Sequence, residues 1–286
     1  AAEETVRDAA TLQEAIVDGN TIVLDEDITA SITIPQGVSI TLDLNGHKLT
    51  NEQGKHTITN NGTLTIQGSG KVDNVSHGKG ALVNNGTATL NGGTLTRSQE
   101  KGTNASTSGG NSWYVVDNHG TMTVNNGTII NTSGFSSLIR NIGATFNMKG
   151  GTLQNAFIVL KNDDNGTVNM TGGKVVTTDS QGSALQNWGK ATVSGGTLSA
   201  TGGGVAIQAL EWDKKYQSVT EVKAGATVDG DVLVRQDPDY NTGEIEFTVT
   251  GGAIKGNVTA GAGAEVSLEG GSVSGTLSTT ADSSKL

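Results

Sequence analysis

Residues 84–95 read NNGTATLNGGTL. An asparagine closes one segment, a glycine follows, threonine alternates with apolar residues, a glycine pair interrupts, and Thr-Leu resumes. Alternation over Thr87, Ala88, Thr89 and Leu90 is the period of a strand with one face buried. The glycines mark corners, where a positive φ or a close backbone approach excludes a Cβ. Strand, corner, strand is the reading, and one such unit has too little apolar surface to fold alone.

Moving outward, the same pattern returns as NHGTMTVNNGTI from Asn118 and NWGKATVSGGTL from Asn187. The glycine pairs or their equivalents end at Gly93, Gly127, Gly151, Gly173, Gly196, Gly230, Gly252 and Gly271, with spacings of 34, 24, 22, 23, 34, 22 and 19. A period near 23 without a helical signal predicts a coil of three short strands, each stacked on its equivalent one coil away. Leucine-rich repeats of similar length need a Leu consensus that is absent. The fold class expected is therefore all-β: a right-handed parallel β-helix, a three-sided solenoid of about ten coils over residues 21–275. The two long spacings are one coil plus about eleven residues, which places insertions at about 97–113 and 210–220, with a third at about 237–243.

Alternation assigns the interior to Leu64 and Ile66, Ala88 and Leu90, Met122 and Val124, Val168 and Met170, and Ala191 and Val193. Leu95, Ile129, Leu153, Val175 and Leu198 follow the glycine pairs and point inward as well. On the third side, Ile58, Leu82, Val116, Ile139, Leu160 and Leu185 each precede by two residues an asparagine: Asn60, Asn84, Asn118, Asn141, Asn162 and Asn187. Equal parity puts these asparagines on the core side of a corner, where carboxamides about 4.8 Å apart form a ladder. A general liking of Asn for turns explains each one singly and leaves the constant offset unexplained.

At the N-terminus, Thr11-Leu12-Gln13-Glu14 reads as a capping box opening a helix over about 11–18, inside a segment 1–20 that plugs the open end of the coil. Residues 276–286 read as a linker-like tail, so further domains of the same chain are expected beyond Leu286. The start, AAEETV, fits the sequence left by signal-peptide cleavage after a small residue.

Composition narrows the function classes. Glycine supplies 42 of 286 residues, roughly twice average usage, without a Gly-X-Y register, which excludes collagen. A net charge of −10 and the lack of any basic run argue against nucleic acid and anionic membrane as partners. No apolar run reaches the roughly 18 residues that span a bilayer, so membrane insertion is not expected. Zero cysteines remove disulfides, thiol catalysis and Cys-ligated metal centres. Asn-Gly-Thr sequons at Asn61, Asn85, Asn126 and Asn165 read as repeat chemistry of a bacterial protein.

The opening, TLQEAI, TIVLDEDIT and then VSITLDLNGHKLT from Val38 to Thr50, resembles the start of pectin-lyase-like β-helix domains in cell-surface proteins of Gram-positive gut bacteria. The resemblance in motif covers the first fifty residues. It implies an extracellular location, secreted or attached to the cell wall, and an adhesin-type role, and it carries no catalytic residue.

Chemistry concentrates at the corner after the asparagine column. His119, Asp163, Asp164 and Trp188 lie there by register, while Asp117, Arg140, Lys161 and Gln186, each one residue before its Asn, are expected to face outward. The insertion LEWDKKYQSVT leaves at the same corner and brings Trp212 and Tyr216 beside Trp188. Aromatic faces for pyranose rings beside carboxylate, ammonium and guanidinium groups make a candidate carbohydrate-binding site of Trp188, Trp212, Tyr216, Asp163, Asp164, His119, Arg140 and Lys161. The expected function is a non-enzymatic surface module that adheres to host or plant glycans or glycoproteins.

The rival is a polysaccharide hydrolase or lyase using Asp163 and Asp164, since paired carboxyls are what glycoside hydrolysis requires. It lacks the NTD and Arg-Ile-Lys elements of polygalacturonase-type enzymes and the calcium cluster of pectate lyases. A third reading is a rigid spacer of ~50 Å. Asp237, Asp239 and Asn241 have the i, i+2, i+4 oxygen spacing of a calcium loop, against which stands a solvated turn. No other cofactor is implied.

Overall fold

The computed structural model describes residues 1–99, 113–132, 136–213, 215–240, 242–282 and 284–286. It is an all-β parallel β-helix, in two compact units, Ala1–Ile139 and Arg140–Leu286.

In the first unit, three faces recur. Strands Ser39–Asp43, Thr63–Gln67, Thr87–Leu90 and Thr121–Val124 stack in parallel on one face. Lys48–Asn51, Lys71–Asn74, Thr94–Arg97 and Thr128–Asn131 form the second, and Ile32–Ile34, Ile58–Asn60, Leu82–Asn84 and Val116–Asn118 the third. The second unit repeats this arrangement, with third-face strands Leu160–Asp163, Ser183–Asn187, Val205–Glu211, Asp231–Gln236, Val258–Ala260 and Leu277–Thr279. The apolar residues that alternation assigned to the interior are all buried.

The asparagines stack as expected. Asn60 Nδ2 donates to Asn84 Oδ1 at 2.8 Å, and Asn84 Nδ2 to Asn118 Oδ1 at 2.8 Å. In the second unit Asn141 Nδ2 reaches Asn162 Oδ1 and Asn162 Nδ2 reaches Asn187 Oδ1, both at 2.9 Å. Each amide also closes its own corner: Asn84 Nδ2 donates to the carbonyls of Gly86 and of Thr121 one coil on. The second-unit ladder stops where the column position becomes Ala209, and Asn187 turns instead to Thr220 Oγ1 at 2.8 Å.

Two kinds of glycine make the corners. The members of the paired column, from Gly93 to Gly271, have φ between 73° and 153°, which L side chains rarely adopt. The glycine of each Asn-x-Gly serves differently: a Cβ at Gly189 would lie 2.8 Å from Asn162 Nδ2 and 2.4 Å from Gly166 O, so it leaves room for the carboxamide.

Three boundaries differ from expectation. The helix is Ala9–Glu14, not 11–18; its cap is Asp8, whose Oδ1 accepts from Thr11 N at 2.8 Å, so Thr11 sits three residues inside. Asp caps as well as Thr, and its carboxylate is held below the usual range by the Thr11 N–H and hydroxyl. Glu3–Val6 already pairs with Thr21–Leu24, so the coil begins inside the segment assigned to the plug. The tail contributes Leu277–Thr279 to the third face, and Lys285 N–H bonds to Ala264 O, because short alternating Leu-Ser-Thr is enough to add a strand to an open edge. Most of the inserted residues 97–113 lie outside the described ones. Among the described residues no helix is long and apolar enough to cross a membrane.

Replacing Asn84 by Ala removes an acceptor and a donor from a column sealed from water, and is expected to cost on the order of 2–4 kcal/mol. Asn85→Ala, on the exposed side of the same corner, is expected to stay within about 0.5 kcal/mol. Urea midpoints of the two variants check this; equal shifts would show that the ladder adds nothing beyond a surface turn.

Candidate functional site

The second unit brings together most of the residues proposed from sequence. Strand Leu160–Asp163 ends in a turn whose next two residues, Asp164 and Asn165, both take left-handed conformations, at φ 51° and 61°. Asp and Asn accept that region most readily among side-chain-bearing residues. The turn separates the paired carboxyls: Asp163 is buried and Asp164 half-exposed. Asp163 Oδ2 lies 3.4 Å from Lys161 Nζ, while Oδ1 is buried without a protein partner. Burial raises the Asp163 carboxyl above the usual carboxylate range, against the pull of Lys161 and Arg140.

One coil on, Trp188 N–H bonds to Asn162 O at 2.8 Å, which stacks the Trp188 backbone beside Asp163. The insertion departs one coil further, and the flanking strands, which end at Glu211 and resume at Ser218, bound it more tightly than the expected 210–220. It returns Trp212 to 4.8 Å from Trp188 between ring centroids, at 63°, and Tyr216 to 6.0 Å, at 64°. Both are edge-to-face contacts of the favourable kind. Lys161 Nζ sits 5.2 Å from the Trp212 ring and Lys215 Nζ 4.9 Å from that of Tyr216. Trp188, Trp212 and Tyr216 are each half-exposed, and Trp188 Nε1 is buried without a protein partner.

Two expectations about facing are corrected. Asp117 and Gln186 keep the outward parity of their strands but are only 3 % and 8 % exposed. Asp117 is closed over by His119, whose Nε2 lies 3.0 Å from Oδ2; Gln186 is flanked in the sheet by Lys161 and Gln208. His119 belongs to the first unit and has Asp117 for its partner there. The remaining six side chains and Arg140 lie in the second.

Asp237, one of the three residues with the spacing of a calcium loop, is bonded within the protein. Its Oδ2 accepts from Trp212 Nε1 at 2.7 Å and its Oδ1 from Asp239 N at 2.8 Å, so the carboxylate anchors the indole and folds its own turn. Asn241 lies outside the described residues, and among these no group of three or more metal-ligating side chains is found. The neighbouring Tyr240 is 58 % exposed.

Glu211 was not singled out from sequence. It is 2 % exposed at the root of the insertion, in register with Gln236, with Oε2 unpaired and Gly243 packed so closely that a Cβ there would lie 2.3 Å from its carboxyl carbon. Burial pushes its pKa up from 4.5 to about 7; Asp213 and Glu244 add to the rise, and the Ser218 N–H opposes it. Only the coil register reveals that the residue is sealed.

No family model, curated protein or solved structure matches the chain.

Because the folded chain holds the Glu211 proton more tightly than the unfolded chain, the stabilisation is full below about pH 4.5 and is lost as pH rises through about 7. Glu211→Gln is expected to flatten that part of the pH dependence. Denaturant midpoints and Trp fluorescence at pH 5 and pH 8 test it; an unchanged slope in the variant would assign the titration elsewhere.

Proposed function

We propose that this chain is a non-enzymatic surface module that holds glycans at the corner formed by Trp188, Trp212 and Tyr216, with Asp163, Asp164, Arg140 and Lys161 supplying polar contacts. One observation carries the reading: three half-exposed rings meet within 6.0 Å beside buried polar atoms, Asp163 Oδ1, Gln186 Oε1 and Trp188 Nε1, that have no protein partner. Sugar rings present C–H faces to aromatics and hydroxyls that both donate and accept, which complements two acceptors and a donor together. An extracellular location, secreted or wall-attached, and an adhesin-type role follow from the resemblance of the first fifty residues to pectin-lyase-like surface domains. Host or plant polysaccharides and glycoproteins are the ligand class.

The hydrolase or lyase reading keeps one supporting observation. The Asp163 carboxyl is raised by burial, as a general acid requires. Its neighbour Asp164 would have to act with it.

A glycan and polysaccharide panel scored for retention and product release separates the readings. Retention is expected to fall about tenfold or more in Trp188→Ala and Trp212→Ala, as for a central aromatic contact. New reducing or unsaturated ends, lost in Asp163→Asn, would replace the binding module by an enzyme. Neither retention nor product would leave the spacer role.

A further inference from the structure

The first unit holds another gathering of aromatic and charged side chains. Trp113 and Tyr114 lead into the third-face strand Val116–Asn118, and His56 leads into the strand two coils away, Ile58–Asn60. The Trp113 ring lies 5.8 Å from the His56 imidazole at 48°, and 5.6 Å from the Tyr114 ring at 60°. On the coil between them stands Gly80, where a Cβ would lie 3.1 Å from Trp113 Cδ1 and 2.6 Å from Tyr114 O. The absent side chain lets the indole lie across the gap to His56.

His56 behaves here as a ring rather than a charge. Its Nδ1 accepts the Gly80 N–H at 3.0 Å, which leaves Nε2 as the protonated nitrogen of the neutral imidazole. Burial, helped by Lys79, holds it below the usual histidine range. His56, Trp113 and Tyr114 are all half-exposed, so three neutral rings reach the surface in a row.

The charges beside them differ from those at the Trp188 corner. Lys55 is exposed and precedes His56; Lys79 is half-exposed and precedes Gly80. The carboxylates on the neighbouring strands are buried and bonded: Asp117 to His119, and Asp73 to the Ser98 N–H and hydroxyl. Lys79 is near enough to act on His56 and Lys55 adjoins it in the chain, beside the exposed Glu52, while Asp117, which also acts on His56, and Asp73 are held by their own partners.

We propose that His56, Trp113 and Tyr114, with Lys55 and Lys79 beside them, form a second sugar site, which takes a pyranose bearing an anionic group, carboxylate or sulfate. The rings offer the stacking surface, and the lysines select the anion by Coulomb attraction in a chain that is otherwise acidic. The site uses residues of the first unit alone and holds or fails separately from the corner at Trp188.

Titration calorimetry of the intact chain with an oligogalacturonate, a heparin-derived sulfated oligosaccharide and a neutral cello-oligosaccharide tests it. At least one anionic probe is expected to bind, the two arms telling carboxylate from sulfate. Its Kd is expected to rise about tenfold in Trp113→Ala and in Lys79→Glu, and several-fold between about 50 and 300 mM salt. Trp113→Ala disturbs the packing on His56, so Lys79→Glu with an unchanged near-UV dichroism spectrum decides. Binding of neither anionic probe would overturn the proposal. So would equal binding of the neutral one, or anionic binding that survives Lys79→Glu and is lost in Trp188→Ala.

Discussion

A carboxamide buried from water must have both its donors and its acceptor satisfied, and in the ladder the carboxamide one coil away meets one of these needs while corner carbonyls meet others. That constraint fixes the register. Sliding one coil by a single residue would strand Asn84 Oδ1 without the Asn60 amide and Asn118 Oδ1 without that of Asn84. It would also turn every apolar side chain of the slipped strand outward. The hydrophobic pattern alone allows a slip of two residues; the ladder does not. Side chains more than twenty positions apart therefore become lateral neighbours at a strand spacing, which is how Lys161 comes to lie beside Gln186 and Asp163 beside Trp188.

The same constraint decides where the chain is free to leave. Asn187 is the last amide of its ladder; the column continues as Ala209, and Thr220, reached only after the insertion, takes the terminal Nδ2. Ser218 Oγ bonds to Asn187 O at 2.8 Å, so both hydroxyls at the end of the insertion close onto the final rung. The departure after Glu211 thus follows a point at which the repeat no longer requires a fixed residue. Loops of this kind vary chemistry upon a fixed frame, and here the loop carries Trp212 and Tyr216 back to a corner whose geometry the ladder has already set.

Much of this was legible because period and parity are properties of sequence. The constant two-residue offset between an apolar residue and Asn predicted the ladder, and the glycine pairs predicted the positive-φ corners. What stayed hidden depended on side chains crossing between coils. Asp117 and Gln186 have outward parity, and nothing in the sequence says that His119 folds over one of them. Asp237 reads as an oxygen ligand by spacing, while its role as the Trp212 acceptor depends on the length of a loop twenty-five residues earlier. Asp8 lost to Thr11 as the expected cap because the capping box was matched by pattern, although Asp and Thr cap by the same hydrogen bond. The sealing of Glu211 needs both the coil that follows and the close approach of Gly243.

The cost of the corner in stability bears on what it is for. Asp163 Oδ1, Gln186 Oε1, Trp188 Nε1 and Glu211 Oε2 are buried without protein partners within one stretch of the second unit. Each such group opposes folding by about 1–3 kcal/mol. In the ladder a few residues away, comparable amides are satisfied on every side, so the fold is able to pair such groups. Apolar residues of similar size would relieve the penalty at the corner. Unmet donors and acceptors next to half-exposed rings are what the proposed glycan would complete.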